Sequence, residues 1–406
     1  QACVAVEEYS ITKANSLTQQ WQDIVEQFGD RPALIQGSER LSYAELNREI
    51  QEIQALNAGY KAGIVPLLLE RNPHQIAFLM ALLLDGIPFI PIDAESPKER
   101  LQLIAAHCGN PIHDANNLHL VRGEQQVIEP TLCYAIATSG TTGVPKLVGV
   151  KRSGYEAALL AWTKQYEITS EDRILQAASF SFDVFLGDLG RALFNGACMV
   201  LLDAYQRKDP QYMLDVIKSE GITLFETTPL VVRWWMQEKS LDIPNLRLLI
   251  VGSDSWKISE MKALIGMMPS QTKVISSYGL SETTIDNSFF TWRTEYHSNT
   301  VVPIGESMHH TSLSICTEEG KPLPDGMEGL LCIDGPCVGL GYYQAEGWSH
   351  SKGPWITADR GVKDEFGQFH FLGRADKQVK IRGQRLELNE VERIFSSIDS
   401  SMHWVA

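Results

Sequence analysis

The chain has 406 residues, 44% of them hydrophobic and 21% charged, with a formal net charge of −15. That length suggests two or three compact units, and the hydrophobic share excludes a disordered chain. The acidic balance speaks against a nucleic-acid-coating surface, and no run of about 18 apolar residues predicts a membrane span.

In chain order, residues 1–40 are mixed and carry no clear pattern. LSYAELNREIQEIQAL then opens with Ser42 and Glu45, an S-x-x-E capping box that starts a helix. Short apolar runs follow: IVPLLLE (64–70), IPFIPID (87–93), TLCYAIAT (131–138), ACMVLLD (197–203), ITLFETTP (222–229) and LRLLIVGS (246–253). Helical patterns separate several of them, as in PHQIAFLMALLLDG (73–86) and YMLDVIKSEG (212–221). IAFLMALLL (76–84) is too short to span a bilayer and reads as a buried helix. Apolar strands alternating with helices predict parallel sheets covered on both faces. Beyond about residue 290, glycine-rich turns separate alternating strands, GLLCIDG (329–335), GQFHFLG (367–373) and KQVKIRG (377–383). That texture predicts an antiparallel, barrel-like region. The expected class is α/β, with two helix-covered sheets and a distorted barrel.

Seven cysteines, at 3, 108, 133, 198, 316, 332 and 337, include no C-x-x-C pair. They read as reduced thiols of a cytoplasmic protein. The chain begins at Gln1 without a signal-peptide pattern and is expected to be a piece of something longer. His309–His310 reads as a surface turn rather than a metal site. GLG at 339–341 lacks the third glycine and acidic partner of a dinucleotide fingerprint.

TSGTTGVPK (138–146) follows the strand TLCYAIAT directly. Gly140 and Gly143 let backbone N–H groups converge, Ser139, Thr141 and Thr142 add hydroxyls, and Lys146 adds a charge. Those groups suit a polyphosphate. The loop is not a Walker A motif, because Pro145 stands where the second glycine would fall.

This loop resembles the phosphate loop of the adenylate-forming superfamily, which includes acyl-CoA synthetases and the adenylation domains of nonribosomal peptide synthetases. Further similar segments come in the family's order: IPFIPIDAESPKER (87–100), SFDVFLGDLGRALFNGA (181–197), YGLSETT (278–284), GLLCIDGPCVGLGYY (329–343), TADRG (357–361) and GRADKQVKIRGQRLELNEVE (373–392). The last is the form typical of peptide synthetases.

The resemblance implies a two-step reaction. ATP and a carboxylic acid give an acyl-adenylate and pyrophosphate, and a thiol, usually the phosphopantetheine arm of a peptidyl carrier protein, takes the acyl group. It implies that Thr138, Ser139, Gly140, Thr141, Thr142, Gly143 and Lys146 grip phosphates, with Thr142, Lys146 and Glu282 catalytic. Glu282 is the implied Mg²⁺ ligand. Ser281 is assigned to phosphate, Ser277, Tyr278 and Gly279 to the adenine side, and Asp359 with Arg374 to the ribose. Asp376 matches the hinge of a small α+β C-terminal lobe. Residues 1–375 are then the large lobe, and 376–406 the hinge and the start of the small one. Ala358 stands where the family usually has Gly, and Ser276 where many relatives carry Asn. The lysine near the end of that lobe has no counterpart before Ala406, so the chain is expected to bind ATP and amino acid but to form adenylate poorly.

Asp183, after Phe182, matches the aspartate that holds a substrate α-amino group, which favours an amino acid over an acyl or aryl acid. The remaining implied pocket positions are Val184, Gly187, Glu226, Leu249, Val251, Ser277, Ile285 and Asp286. Two carboxylates among apolar residues call for a cation. Gly187 is expected to leave room for a long side chain whose terminal charge meets Glu226 and Asp286. The set is similar to that of ornithine-activating domains, with Val251 where those often have Gly. Lysine, arginine and 2,4-diaminobutyrate stay open, as do a fatty or aryl acid ligase of the same fold and a silent scaffold module.

Overall fold

The computed structural model describes residues 16–60, 63–120, 129–139, 145–238, 241–296, 300–344, 347–349, 353–376, 378–381 and 384–387, the last two segments as backbone. These residues form two large mixed sheets, a four-stranded antiparallel one and a two-stranded antiparallel pair, Gln378–Ile381 with Gln384–Glu387.

The first sheet has nine strands, in the order Glu306–Ser307, Ser288–Thr291, Lys273–Tyr278, Leu248–Val251, Leu224–Thr227, Arg173–Gln176, Cys198–Leu201, Pro32–Gln36 and Glu39–Ser42. Its centre is parallel and both edges are antiparallel. The second runs Gly347–Trp348, Gly341–Gln344, Lys146–Lys151, Leu132–Thr138, Phe89–Asp93, Val65–Leu69 and His113–Asp114. Each of the six expected apolar runs contains a strand of one of these sheets.

The main core lies between the two sheets. The helix Pro73–Asp85 is buried almost all round, because its apolar residues leave no polar stripe. Asn72 caps its start and Gly86, at φ 70°, ends it. The helices Tyr43–Leu56, Arg152–Gln165 and Asp183–Leu193 share this layer. The first carries the expected capping box of Ser42 and Glu45. A second core, on the far face of the nine-stranded sheet, holds Phe225, Leu249, Val251 and Val274 under the helices Pro210–Ser219, Pro229–Trp235 and Ile258–Met267. Neighbouring residues on one strand therefore enter different cores.

The region read as barrel-like is a four-stranded antiparallel sheet, Ser312–Cys316, Gly329–Asp334, Trp355–Lys363 and Phe369–Arg374. A bridge between Gly305 and Phe369 ties it to the first sheet. The first forty residues hold structure that the sequence pattern left unassigned. Ser16 caps a helix, Leu17–Phe28, that buries Leu17, Trp21 and Ile24 at helical spacing, and a hairpin follows.

Cys108, Cys133, Cys198, Cys316, Cys332 and Cys337 are free and buried. His310 corrects the surface-turn reading: it is buried at 5% exposure, and burial pushes its pKa down to about 4. His309 beside it is exposed. Among the described residues no helix is long and apolar enough to cross a membrane.

Candidate functional site

Glu226, Val251 and Tyr278 stand at or near the carboxyl ends of three adjacent parallel strands, where open α/β sheets bind ligands. After Tyr278 the chain turns sharply. Gly279 packs against the Ile285 carbonyl so closely that a Cβ would overlap it. Thr284 and Ile285 have φ of 60° and 72°, values strained for β-branched residues. Asn287 holds this turn. Its side-chain oxygen accepts from Thr283 Oγ1 at 2.6 Å and Leu280 N at 3.3 Å, and its amide donates to the Thr283 carbonyl at 2.6 Å.

Three carboxylates surround the turn, each held by a different part of the chain. Asp183 begins its helix and accepts from Ser281 Oγ at 2.6 Å. Burial raises its pKa, while the Ser281 bond opposes the rise. Glu282 is 1% exposed and accepts from Tyr342 Oη at 2.7 Å. Tyr342 arrives because the strand Gly341–Gln344 pairs with Lys146–Lys151, which sets the Lys146 ammonium 5.7 Å from its ring. Asp359, 2% exposed, accepts from Tyr278 Oη at 2.7 Å and from Arg374 Nη1 at 2.5 Å. Arg374 also forks onto Asp376, with both bonds at 2.7 Å.

Thr138 and Lys146 pair across two antiparallel strands. The segment 138–146 thus begins and ends on strand residues, and the strand Lys146–Lys151 rather than a helix follows it. Gly140, Thr141, Thr142 and Gly143 lie outside the described residues. Lys146, Tyr342, Glu282, Ser281 and Asp183 form one connected series beside its mouth.

The residues expected to line a substrate pocket divide. Ile285 reaches the Gly187 side of the helix, and Val184 packs at the edge of the main core. Phe182 is 40% exposed. Leu249 and Val251 require correction: both are fully buried in the second core, on the opposite face of the sheet. Glu226 registers with Ile250 and Ile250 with Ile275, so these share a face. A one-residue slip along a strand exchanges faces. The position after Ile250 on this face is Gly252, where a Cβ would strike Ser277 Oγ. Ser276 points the other way and accepts from Trp256 Nε1 at 3.1 Å.

The assignment of the acidic pair also changes. Arg191, which the sequence pattern did not single out, is 0% exposed and hydrogen-bonds Glu226. It lies 3.3 Å from Asp188 and 3.7 Å from Asp286. Burial works against its charge, but Glu226, Asp188 and Asp286 outweigh that and raise its pKa. Burial, then the neighbouring Glu226, pushes Asp286 up to about 8. The expected room above Gly187 is occupied, since a Cβ there would lie 2.7 Å from Arg191 Nη2. Gly187, Asp188 and Arg191 share a helix face through i+3 and i+4 spacing, the signal that could have revealed this group.

A family model described as "AMP-binding enzyme" matches residues 21–113 and 113–343. Gramicidin S synthase 2 of Brevibacillus brevis is 31% identical over 433 residues, covering 94% of this chain. Bacitracin synthase 2 of Bacillus licheniformis is 30% identical over 422 residues and covers 92%. The chain spans only 9% and 16% of those two relatives. Among solved structures, a Vibrio cholerae adenylation domain, AlmE, in complex with glycyl-adenosine-5'-phosphate, superposes with a TM-score of 0.81 at 22% identity. The match covers 95% of this chain and 84% of that one. An artificially fused adenylation–PCP di-domain from Klebsiella oxytoca gives the same TM-score at 21% identity, with the same coverage. The expected AMP-binding fold is borne out.

Proposed function

The chain belongs to the AMP-binding enzyme family, and from that membership we propose that it is the amino-acid-activating lobe of a peptide synthetase. ATP and an amino acid give aminoacyl-AMP and pyrophosphate, and the aminoacyl group passes to a carrier-protein phosphopantetheine thiol. The observation that carries this is the gathering of Asp183, Glu282 and Asp359 around one turn, each held by a separate hydrogen bond. Three fixed carboxylates suit an ammonium and a ribose of one ligand and the metal ion that accompanies it.

In this reading Asp183 receives the α-ammonium. Ser281 Oγ donates to one of its oxygens and fixes the orientation of the carboxylate. Asp359 receives the ribose hydroxyls, with Tyr278 and Arg374 fixing its plane. Lys146 faces the phosphates, supported by Thr138, Ser139 and the loop residues Gly140, Thr141, Thr142 and Gly143. Among the described residues no cluster of three metal ligands occurs. Mg²⁺ that travels with a nucleotide needs only one or two carboxylates. Glu282 would hold it, and its chemistry would be neutralisation of charge on the phosphate oxygens.

The proposed substrate is a basic L-amino acid, ornithine first. Three buried carboxyl groups face one guanidinium, and Asp286, the one it meets only at 3.7 Å, is the group a substrate cation would engage. Asp376 is the proposed hinge between residues 1–375 and a small lobe beginning in 376–406. Peptidyl carrier protein and neighbouring synthetase domains are the proposed partners, and the cytoplasm the proposed location.

The test uses sulfamoyl-adenosine analogues of the adenylate, measured by calorimetry on this chain. Ornithyl-sulfamoyl-adenosine should bind at least about tenfold more tightly than the salicyl analogue, as expected when a site's polar anchor loses its partner. Equal or tighter binding of the salicyl compound would favour an aryl-acid ligase and sink the amino-acid reading.

A further inference from the structure

Arg191 is among the largest side chains with no exposure to solvent. The helix Asp183–Leu193 carries it one turn after Gly187. Its guanidinium lies 5.2 Å from the Trp162 ring and 5.9 Å from the Tyr166 ring, so aromatic faces cover it. Nη2 serves Glu226 and Asp188. Nη1 lies 3.7 Å from Asp286 Oδ2, too far for a hydrogen bond, and both atoms are buried without a hydrogen-bond partner among the described residues. Asp188 Oδ2 is in the same condition. Buried polar atoms without hydrogen bonds are unfavourable, so the cluster has unused hydrogen-bonding capacity on the Asp286 side.

We propose that Arg191 sets the substrate choice of this pocket: it holds Glu226 and Asp188 internally, leaves Asp286 for the substrate's side-chain ammonium, and excludes cations that reach further. This rests on the basic-amino-acid reading above. The exclusion has two parts. The guanidinium takes the space that Gly187 leaves open, which limits depth. A longer side chain would also carry its ammonium past Asp286 toward a like charge, and like-charge contact in a buried site is a strong discriminator. Ornithine and lysine differ by one methylene, so Arg191 is the group that separates them.

The experiment compares ornithyl-, lysyl- and norvalyl-sulfamoyl-adenosine binding by calorimetry in the wild-type chain, Arg191→Met and the double variant Arg191→Gln/Glu226→Gln. The double variant removes both charges and keeps a hydrogen-bonded pair, so it does not leave Glu226 unpaired if the single variant fails to fold. In the wild type the ornithyl compound should lead both others by about tenfold or more, the scale of one methylene or one lost polar contact. In either variant the ornithyl-to-lysyl affinity ratio should fall about tenfold or invert. A merely structural Arg191 would weaken both compounds together and leave the ratio unchanged, which overturns the proposal alone. If norvalyl binds the wild type as well as ornithyl, the basic-substrate reading fails and this inference falls with it.

Discussion

Arg191 and Asp286 face each other at 3.7 Å, inside the range of ionic attraction and outside that of a hydrogen bond. Glu226, by contrast, is in direct contact with the same guanidinium. One carboxylate of the pocket is thus engaged by the chain, and the other is only partly compensated.

The Asp286 carboxyl, pushed up to about 8 chiefly by burial, should make stability depend on pH. An unfolded aspartate titrates near 4 (about 3.9). Between these values the folded chain keeps a proton that the unfolded chain has lost. The stabilisation is complete below the unfolded value and disappears as pH rises through the folded one. The melting temperature should therefore fall across that window, and Asp286→Asn should flatten the fall. Melting curves taken at several pH values with identical slopes in both proteins would contradict this assignment.

A second pH effect runs the other way. A substrate ammonium favours ionised Asp286, so its binding expels the proton. The affinity for ornithine relative to norvaline should rise with pH until Asp286 is ionised in the free chain, then level off. Calorimetry in buffers of different ionisation enthalpy should detect the released proton. Its absence with ornithine would rule out Asp286 as the acceptor.

Asp359→Asn should weaken the nucleotide side without moving the amino-acid side. The carboxylate accepts from Tyr278 and Arg374, and a neutral amide loses the charge-assisted bond to Arg374. Loss of a buried, charge-assisted pairing costs about 1.5–3 kcal/mol. ATP-analogue affinity should fall by at least tenfold, while the Asp183-dependent contact with the amino acid stays intact. Equal losses for both ligands would mean a global effect of the substitution.

Asn287→Ala should destabilise the chain by about 2–4 kcal/mol, from several buried groups left without partners. Its side chain makes three hydrogen bonds that hold the turn between Tyr278 and Ser288. The backbone bond from Asn287 N to the Tyr278 carbonyl, at 2.8 Å, would survive. Urea denaturation gives the value directly, and a change below about 0.5 kcal/mol, the scale of an ordinary surface substitution, would show that the turn is held by its neighbours instead.

Gly279→Ala should be more severe. The added Cβ would overlap the Ile285 carbonyl, a backbone atom that cannot turn aside. Both the fold and the pocket turn should be lost together. A stable, ligand-binding variant would show that the turn can open.

Much of the framework was legible along the chain. The six apolar runs contain strands, because a parallel strand covered on both faces must be apolar at consecutive positions. The Ser42 capping box was readable because its bonds join residues three apart. The helix Leu17–Phe28 went unread although Ser16, Leu17, Trp21 and Ile24 carry the pattern. The resemblance marked Glu282, Tyr278, Asp359 and Arg374, each inside a contiguous motif, and the fold joins Tyr278 and Arg374 through Asp359 beside the turn that carries Glu282.

The pocket was less legible for a physical reason. Leu248, Leu249, Ile250 and Val251 are all apolar and all buried, so hydropathy gives no alternation to tell one face from the other. Only the register of Glu226 with Ile250 decides that Ile250 and Gly252 share the Glu226 face and that Leu249 and Val251 do not. Arg191, read along the chain, looks like a basic residue in the last turn of a helix, a position usually explained by the helix dipole. Its partners Glu226 and Asp286 lie 35 and about 95 residues further on. Local pattern along the chain was enough for the class of sheets, the family motifs and the presence of Glu226 and Asp286 among apolar residues. The tertiary structure alone decided which face each strand presents and which buried charge meets which, because both depend on strand register and on contacts between residues far apart in the chain.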